Sequence, residues 1–196
     1  MSSEVQKSHK LYKKALLFEY LTIVWNLFEG VSCVALGIIS GSISLSAYGL
    51  ESSVEVFASS VVVWDLKGAK KDREDIALKL IGAAYLVVSL YIFIDAVKTI
   101  LEGHRPEKTT IGIIFMIATV IVMLILGLAK KDIGKKIQST TVLADAKFTL
   151  IDGALASAVL IGLLFNAVFG WWWMDAALAL FLSGVAFREG IREVLQ

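Results

Sequence analysis

Six apolar runs separated by short polar or charged segments make up most of the chain. They lie at residues 15–39, 44–64, 76–100, 111–129, 142–169 and 171–187. Each run approaches or exceeds the roughly 20 residues that a helix needs to cross the hydrocarbon core of a bilayer. Helices satisfy their own backbone hydrogen bonds in lipid, whereas open strands do not. The pattern predicts an all-α membrane protein, with one transmembrane domain of six helices over residues 1–196.

The composition agrees with this pattern and narrows the functional classes. The chain is 57% hydrophobic, whereas soluble domains contain roughly 45–50% apolar residues. The net charge of +1 gives no reason to expect a nucleic-acid partner. The single cysteine, Cys33, excludes an internal disulfide framework. The charged N-terminal stretch is followed by no small-residue cleavage site, so we expect no cleaved signal peptide.

The basic residues predict the orientation. They cluster at the N-terminus, in the second-to-third and fourth-to-fifth connections, and at the C-terminal end: Lys7, Lys10, Lys13, Lys14, Lys67, Lys70, Lys71, Arg73, Lys130, Lys131, Lys135, Lys136, Arg188 and Arg192. Cytoplasmic loops carry the excess of Lys and Arg in multi-pass membrane proteins. We therefore expect both termini to be cytoplasmic, in a cell membrane (inner or plasma).

Acidic residues interrupt the second and fifth apolar runs at corresponding positions. Glu51 and Glu55 lie one helical turn apart and therefore on one face of helix 2. A weak internal repeat aligns residues 45–55 with residues 142–152, so that Glu55 corresponds to Asp152 in helix 5. Under the predicted topology both acids fall near the middle of the membrane. Repeats with a binding site at the midplane are typical of transporters.

Other polar residues near this level extend the candidate site. Asn26 and Glu29 share a face of helix 1, and Asp145 lies nearer the cytoplasmic end of helix 5, where it suits an entrance. For Asn26 and Glu29, structural hydrogen bonding and ligand binding are about equally favoured. Glu19 and Asp95 are expected at the membrane interfaces, Asp175 as a helix cap and His104 as a loop residue.

The acids predict a cation site. A carboxylate at bilayer depth costs several kcal/mol, roughly 3 on insertion scales. No Lys or Arg is predicted to lie deep enough to neutralise Glu51, Glu55 and Asp152, since Lys147 can extend toward the interface. An arriving divalent cation would then displace protons from these groups. Oxygen ligands suit manganese, iron, zinc or magnesium and do not suit copper(I).

At this point the pattern resembles the cation diffusion facilitator family of metal–proton antiporters. The stretches that carry the resemblance are S-L-S-A-Y-G-L-E-S-S-V-E in helix 2 and L-A-D-A-K-F-T-L-I-D in helix 5. Helix 1, with E-Y-L-T-I-V-W-N-L-F-E-G, resembles a divergent branch of that family. The resemblance implies a transport site at Glu51, Glu55 and Asp152, with a fourth position at Phe148. The family usually has histidine there, and aspartate is common at the position of Tyr48.

The departures leave the ligand set incomplete. Phenylalanine cannot coordinate a metal, so the missing ligand is sought in Glu29, Asn26, Asp145 or water. The family's soluble C-terminal metal-binding domain is also expected to be absent, since the sequence stops at Gln196. Any homodimer is then expected to form through the transmembrane helices, or through the termini and residues 65–75.

The sequence therefore predicts a multi-pass exporter of a divalent metal cation, with zinc favoured and manganese or iron as alternatives. Protons are the expected coupling ion in an alternating-access cycle, and no enzymatic activity is implied. Two other classes stay open: a membrane metal-binding or scaffold protein that does not transport, and a small multidrug exporter. The last predicts an aromatic-lined cavity beside Glu51 and Glu55.

Overall fold

Six long α-helices follow one another in a computed structural model that describes residues 2–68, 72–103 and 107–195. They are α1 (Ser2–Ser40), α2 (Ile43–Lys67), α3 (Asp72–Glu102), α4 (Thr110–Ile137), α5 (Thr140–Phe169) and α6 (Trp172–Val194). All regular secondary structure in these ranges is helical, which confirms the all-α prediction. The prediction of six elements is also confirmed.

Two of the helices extend well beyond the apolar runs that predicted them. The start of α1 is at Ser2 rather than near residue 15, and α4 continues past residue 129 to Ile137. The apolar run marks where hydrocarbon would lie, whereas a helix ends only where its backbone hydrogen bonds end. Lysine is a good helix former, so the basic residues after 129 do not interrupt α4. This extension changes the position of Lys130, which lies inside α4 and not in a loop.

Two tight turns fix neighbouring helices against each other. Between α1 and α2, Gly41 adopts a positive φ of 66°, and the Ser42 side chain accepts a hydrogen bond from the Leu45 backbone N–H at 3.3 Å. Between α4 and α5, Gln138 is left-handed with φ 53°, and Ser139 caps α5 through the Val142 N–H at 3.2 Å. Serine is a favoured N-cap because its hydroxyl satisfies a free backbone donor. Both connections have the short length that is typical between adjacent helices of a bundle.

Glycines let α1 and α2 approach closely in the middle of their interface. A Cβ atom on Gly49 would lie 2.7 Å from the Val34 backbone nitrogen, and one on Gly30 would lie 2.9 Å from the Gly49 carbonyl oxygen. Small residues at such crossings permit backbone contact between membrane helices. The approach brings Glu29 of α1 toward Glu51 of α2, since each lies within two residues of a contact glycine.

The helices form a bundle with two distinct ends. At one end, which we call the inner end because the sequence predicts that it faces the cytoplasm, the Thr141 hydroxyl donates to Asp65 at 2.7 Å, and Lys67 donates to the Tyr20 hydroxyl at 2.7 Å. At the outer end, the Glu107 backbone N–H donates to the Ser40 carbonyl at 2.8 Å. The largest helix interfaces are α1 with α2, α4 with α5, and α3 with α6.

Four helices are long and apolar enough to cross a membrane: His9–Ser40, Lys79–Glu102, Thr110–Ile137 and Thr140–Phe169. In the part of the chain that the structure describes, α2 and α6 do not reach that hydropathy. The reason in α2 is visible in its sequence, ISLSAYGLESSVEVFASSVVVWDLK, which mixes serines and glutamates into the apolar run. The predicted count of six membrane spans therefore remains a proposal.

Some predictions fall on parts of the chain outside the described residues. These are the basic residues Lys70 and Lys71 and the loop residue His104. The side chain of Asp175, predicted to cap α6, also lies outside them.

Candidate metal site

The polar side chains of α1 lie on one buried stripe. The fully or almost fully buried positions recur at intervals of three or four: Ala15, Glu19, Thr22, Asn26, Glu29 and Cys33. Residues at this spacing share a helix face. The stripe of α2 carries Tyr48, Glu51, Ser52, Glu55 and Ser59, and that of α5 carries Asp145, Phe148, Thr149 and Asp152. Three helices thus turn their polar faces inward rather than toward lipid.

Glu29, Glu51 and Asp152, one from each of these helices, form what we call the acid cluster. All three side chains are buried. Asp152 lies within electrostatic reach of both Glu51 and Glu29. None of the six carboxylate oxygens of the cluster accepts a hydrogen bond from any described residue. Buried carboxylates without partners are costly, which makes this cluster receptive to a cation or to protons.

Small cavities lie between the acid cluster and the outer end of the bundle. A cavity of about 20 Å³ is bounded by Glu51 and Tyr48 together with Ser44 and aliphatic residues of α2, α3, α5 and α6. A second, of about 10 Å³, includes Asp95 in its wall. The larger one has room for about one water molecule. Tyr48 is its one aromatic wall residue, so it lacks the aromatic lining that an organic cation would require.

Glu55 differs from the acid cluster because both of its oxygens have partners. The Tyr85 hydroxyl donates to Oε1 at 2.5 Å, and the Thr149 hydroxyl donates to Oε2 at 3.3 Å. The Tyr85 ring stacks on Phe148, with ring centroids 3.9 Å apart and an angle of 18° between the planes. Phe148 therefore supports the tyrosine that binds Glu55. Sequence reasoning did not identify Tyr85, because α3 shows no acidic pattern at that level.

A second buried group of charges, which we call the lysine cluster, lies toward the inner end. The Lys130 ammonium pairs with Glu19 at 2.9 Å and with Asp145. It also donates to the hydroxyls of Ser59 and Thr149, each at 3.2 Å. Lys130 is only 1% exposed.

The lysine cluster corrects two sequence-based predictions. Lys130 was expected in the connection between helices 4 and 5, and this is wrong because it lies inside α4. The expectation that no Lys or Arg neutralises Glu51, Glu55 and Asp152 is a separate one and is not contradicted, since Lys130 pairs with Glu19 and Asp145. Glu19 was expected at the membrane interface, but it is fully buried. The error has one cause, since Lys130 was counted with the basic run that follows it. The buried face of α4 includes Met123, Gly127, Lys130 and Ile133, and that spacing was a signal that could have placed Lys130 inside.

The structure separates the remaining predicted ligands. Asp145 belongs to the lysine cluster and reaches Glu55 only through Lys130 and Thr149. Asn26 donates to the Thr22 carbonyl at 3.0 Å, and it lines a groove between α1 and α2 together with Gly30 and Gly49. Glu29 is the helix 1 residue that joins Glu51 and Asp152.

The acids of the candidate site are close but do not form a closed ligand shell. Across residues 2–68, 72–103 and 107–195, no three His, Cys, Asp or Glu side chains are positioned to hold a metal ion. Binding one would require small side-chain movements within the acid cluster. Such movements are inexpensive for carboxylates that have no hydrogen bond to give up.

Comparison with known proteins shows the family of the chain. Residues 20–195 match the model of the cation efflux transmembrane domain. The chain belongs to the cation efflux family. Members of that family are metal-cation transporters rather than enzymes, and the match makes this chain a multi-pass membrane protein.

Several curated proteins are similar to the chain along most of its length. Transmembrane protein 163 of Xenopus laevis is 22% identical, covering 92% of this chain and 66% of that protein. The uncharacterized transporter MJ0449 of Methanocaldococcus jannaschii is 28% identical, covering 85% and 64%. Magnetosome protein MamB of Paramagnetospirillum magneticum is 25% identical, covering 86% and 59%. The chain thus spans less than two thirds of the length of these relatives.

Proposed function

We propose that this cation efflux protein exports a divalent metal cation in exchange for protons, with zinc as the favoured substrate. The observation that carries the proposal is the acid cluster. Glu29, Glu51 and Asp152 are buried on three helices and their oxygens have no hydrogen-bond partner in the described chain. A divalent cation supplies the compensating charge that these groups lack.

The mechanism follows from the charge of the cluster in its two states. Without metal, bound protons keep the buried carboxylates from carrying three uncompensated charges. With metal, the ligands must be deprotonated, so arrival of the cation releases protons. Glu55 and Asp145 are proposed as additional oxygen ligands or as stations on the route. Alternating exposure of the cluster to the two bundle ends would then couple cation exit to proton entry.

The proposed architecture has all six helices crossing the membrane, although α2 and α6 are less apolar. The buried glutamates and serines of α2 face α1, α3 and α5 and not lipid, so they do not prevent the helix from crossing. We place both termini in the cytoplasm, in a cell membrane. A homodimer through the transmembrane helices remains a proposal.

The test is metal and proton movement in proteoliposomes. With a pH gradient imposed, vesicles containing the protein should take up zinc and move protons in the opposite direction. Asp152→Asn should abolish both fluxes, whereas Asp132→Asn, which removes an exposed acid, should leave them unchanged. Equal fluxes with wild type and Asp152→Asn would overturn the proposal.

The pH dependence of binding gives a second measurement. Because binding displaces protons, the apparent zinc affinity in titration calorimetry should fall as pH falls. The limit is about tenfold per pH unit for each proton released. A pH-independent affinity with no proton release in buffers of different ionisation enthalpy would contradict the exchange mechanism.

Phe148 favours one other candidate, a membrane protein that binds metal without transporting it. The position where the family resemblance implies a ligand is filled by a ring stacked on Tyr85. That candidate predicts zinc binding in calorimetry with no zinc entry into vesicles, even when a pH gradient is present.

A further inference from the structure

The environment of the Lys130 ammonium is that of a bound cation. Four side-chain oxygens surround it, from Glu19, Ser59, Asp145 and Thr149. They come from α1, α2 and α5, so a single side chain of α4 ties three other helices together. Carboxylate and hydroxyl oxygens are the ligands that hard cations take in proteins.

The lysine cluster also holds more acceptor capacity than its lysine uses. An ammonium has three protons to donate, whereas four residues offer oxygens to it. Glu19 Oε1 and Asp145 Oδ1 are buried, and neither has a hydrogen-bond partner among the residues described. Two carboxylates face one ammonium, so the group lacks one positive charge unless one of the two acids holds a proton. The cluster therefore retains an attraction for a further cation.

The position of the cluster places it on the inner side of the candidate metal site. Asp145 and Thr149 precede Asp152 along α5, and Thr149 hydrogen-bonds both Lys130 and Glu55. The cavity bounded by Glu51 lies on the outer side of the acid cluster instead. In this conformation, a cation coming from the inner end would meet Lys130 before it met Glu55.

We propose that Lys130 is a tethered cation that closes the inner route, and that the transported cation must displace its ammonium from Glu19 and Asp145 to reach Glu55. The inference rests on the proposed function, because it assigns a gate and an entry subsite to the same transport route. It adds Lys130 and Glu19 as positioning residues that hold α1, α2 and α5 closed against α4.

The experiment measures access to two introduced thiols in the intact protein with Cys33→Ala. Thr149→Cys places one thiol between Lys130 and Glu55, and Ala47→Cys places the other in the wall of the outer cavity. A membrane-impermeant methanethiosulfonate reagent is applied to each side of sided vesicles. Neither metal nor transport is needed for this readout.

Removing Lys130 alone would leave two buried acids without a partner and destabilise the fold, so the decisive variant neutralises the whole group. It combines Glu19→Gln, Lys130→Gln and Asp145→Asn, and Lys131→Gln is the exposed control on the same helix. The triple variant should react about tenfold faster at the Thr149→Cys thiol from the inner side, as expected for a shift of a two-state equilibrium. The rate at the Ala47→Cys thiol should stay equal or fall.

An unchanged rate at the inner thiol would overturn the inference, and so would equal acceleration at both thiols, since that indicates general loosening. Zinc calorimetry separates this result from the proposed function. The triple variant loses Asp145, which is itself a proposed ligand, so the zinc binding that decides the proposed function is measured on the wild type. If the wild type binds and exchanges zinc but the triple variant does not change the reaction rate of the Thr149→Cys thiol, the proposed gate is wrong and the proposed function stands.

Discussion

Two buried acidic groups lie within the same bundle, and they differ in whether the protein supplies their counter-charge. The lysine cluster contains Glu19 and Asp145 with an ammonium between them. The acid cluster contains Glu29, Glu51 and Asp152 with no cationic partner or hydrogen bond among the described residues. A buried pair with its counter-ion is part of the fold, whereas buried acids without one require something from outside. This difference supports the proposal that the cation binds at the acid cluster.

The largest expected effect compares two aspartates on one face of α5. Asp152→Asn should weaken zinc binding at least about 100-fold, since losing even an outer-shell partner costs a metal site about 10–100-fold. Its thermal stability should stay equal or rise, because a buried carboxylate without partners is removed. Asp145→Asn should lower thermal stability instead, because Lys130 loses a partner. Calorimetry and thermal unfolding in detergent measure both, and equal zinc affinities of the two variants would remove the distinction between the clusters.

The next effect tests the lysine cluster as part of the fold. Lys130→Met should lower the free energy of unfolding by about 3–5 kcal/mol, because it leaves Glu19 and Asp145 buried and unpaired. Lys131→Met, at the exposed neighbouring position, should change stability by no more than about 0.5 kcal/mol. Equal stability of the two variants in denaturant unfolding would show that the buried ion pairs do not hold the helices together.

A smaller effect is expected at the hydroxyl that connects α3 to the site. Tyr85→Phe keeps the ring stacked on Phe148 but removes the hydrogen bond to Glu55, which should cost about 1–3 kcal/mol of stability. Tyr91→Phe is the matched control, since Tyr91 is an exposed residue of the same helix. If Tyr85→Phe were as stable as this control, the bond to Glu55 would contribute nothing to the fold.

The smallest effect concerns the position where the family resemblance implies a histidine. Phe148→His should strengthen zinc binding relative to manganese by about tenfold, because imidazole suits zinc better than manganese. Phe148→Leu, which removes the ring without adding a ligand, should not change the zinc-to-manganese ratio. A ratio unaltered by histidine would place the metal away from α5 at this level.

Part of this arrangement was predictable because it depends on local pattern. The apolar runs predicted six helices, and the i, i+4 spacing of Glu51 and Glu55 predicted that both would face the same way. The repeat in α5 predicted that Asp152 would lie at a similar level. The roles of these residues as ligands stay predictions, although their burial together agrees with them.

The lysine cluster was not predictable by the same means, since each member lies at the polar boundary of an apolar run. Hydropathy places such residues at the membrane surface, and Lys can extend either way along its helix. Glu19 and Lys130 are far apart in sequence and become partners only when α1 packs against α4. The spacing of the buried positions on α1 and α4 indicated that Glu19 and Lys130 face the protein interior. That spacing does not show that the two residues pair with each other.

The sequence by itself determined the helices, the membrane character and the presence of acids on the faces of α1, α2 and α5, because these follow from spacing and composition. Only the tertiary structure decided which acids have a counter-charge. The pairing of an acid with a lysine depends on which neighbouring helix the lysine side chain extends toward. An ion pair also requires a separation of only a few ångströms in space, whatever the separation of the two residues along the chain. Lys130 reaches Glu19 and Asp145 and forms no ion pair with Glu29, Glu51 or Asp152 among the described residues.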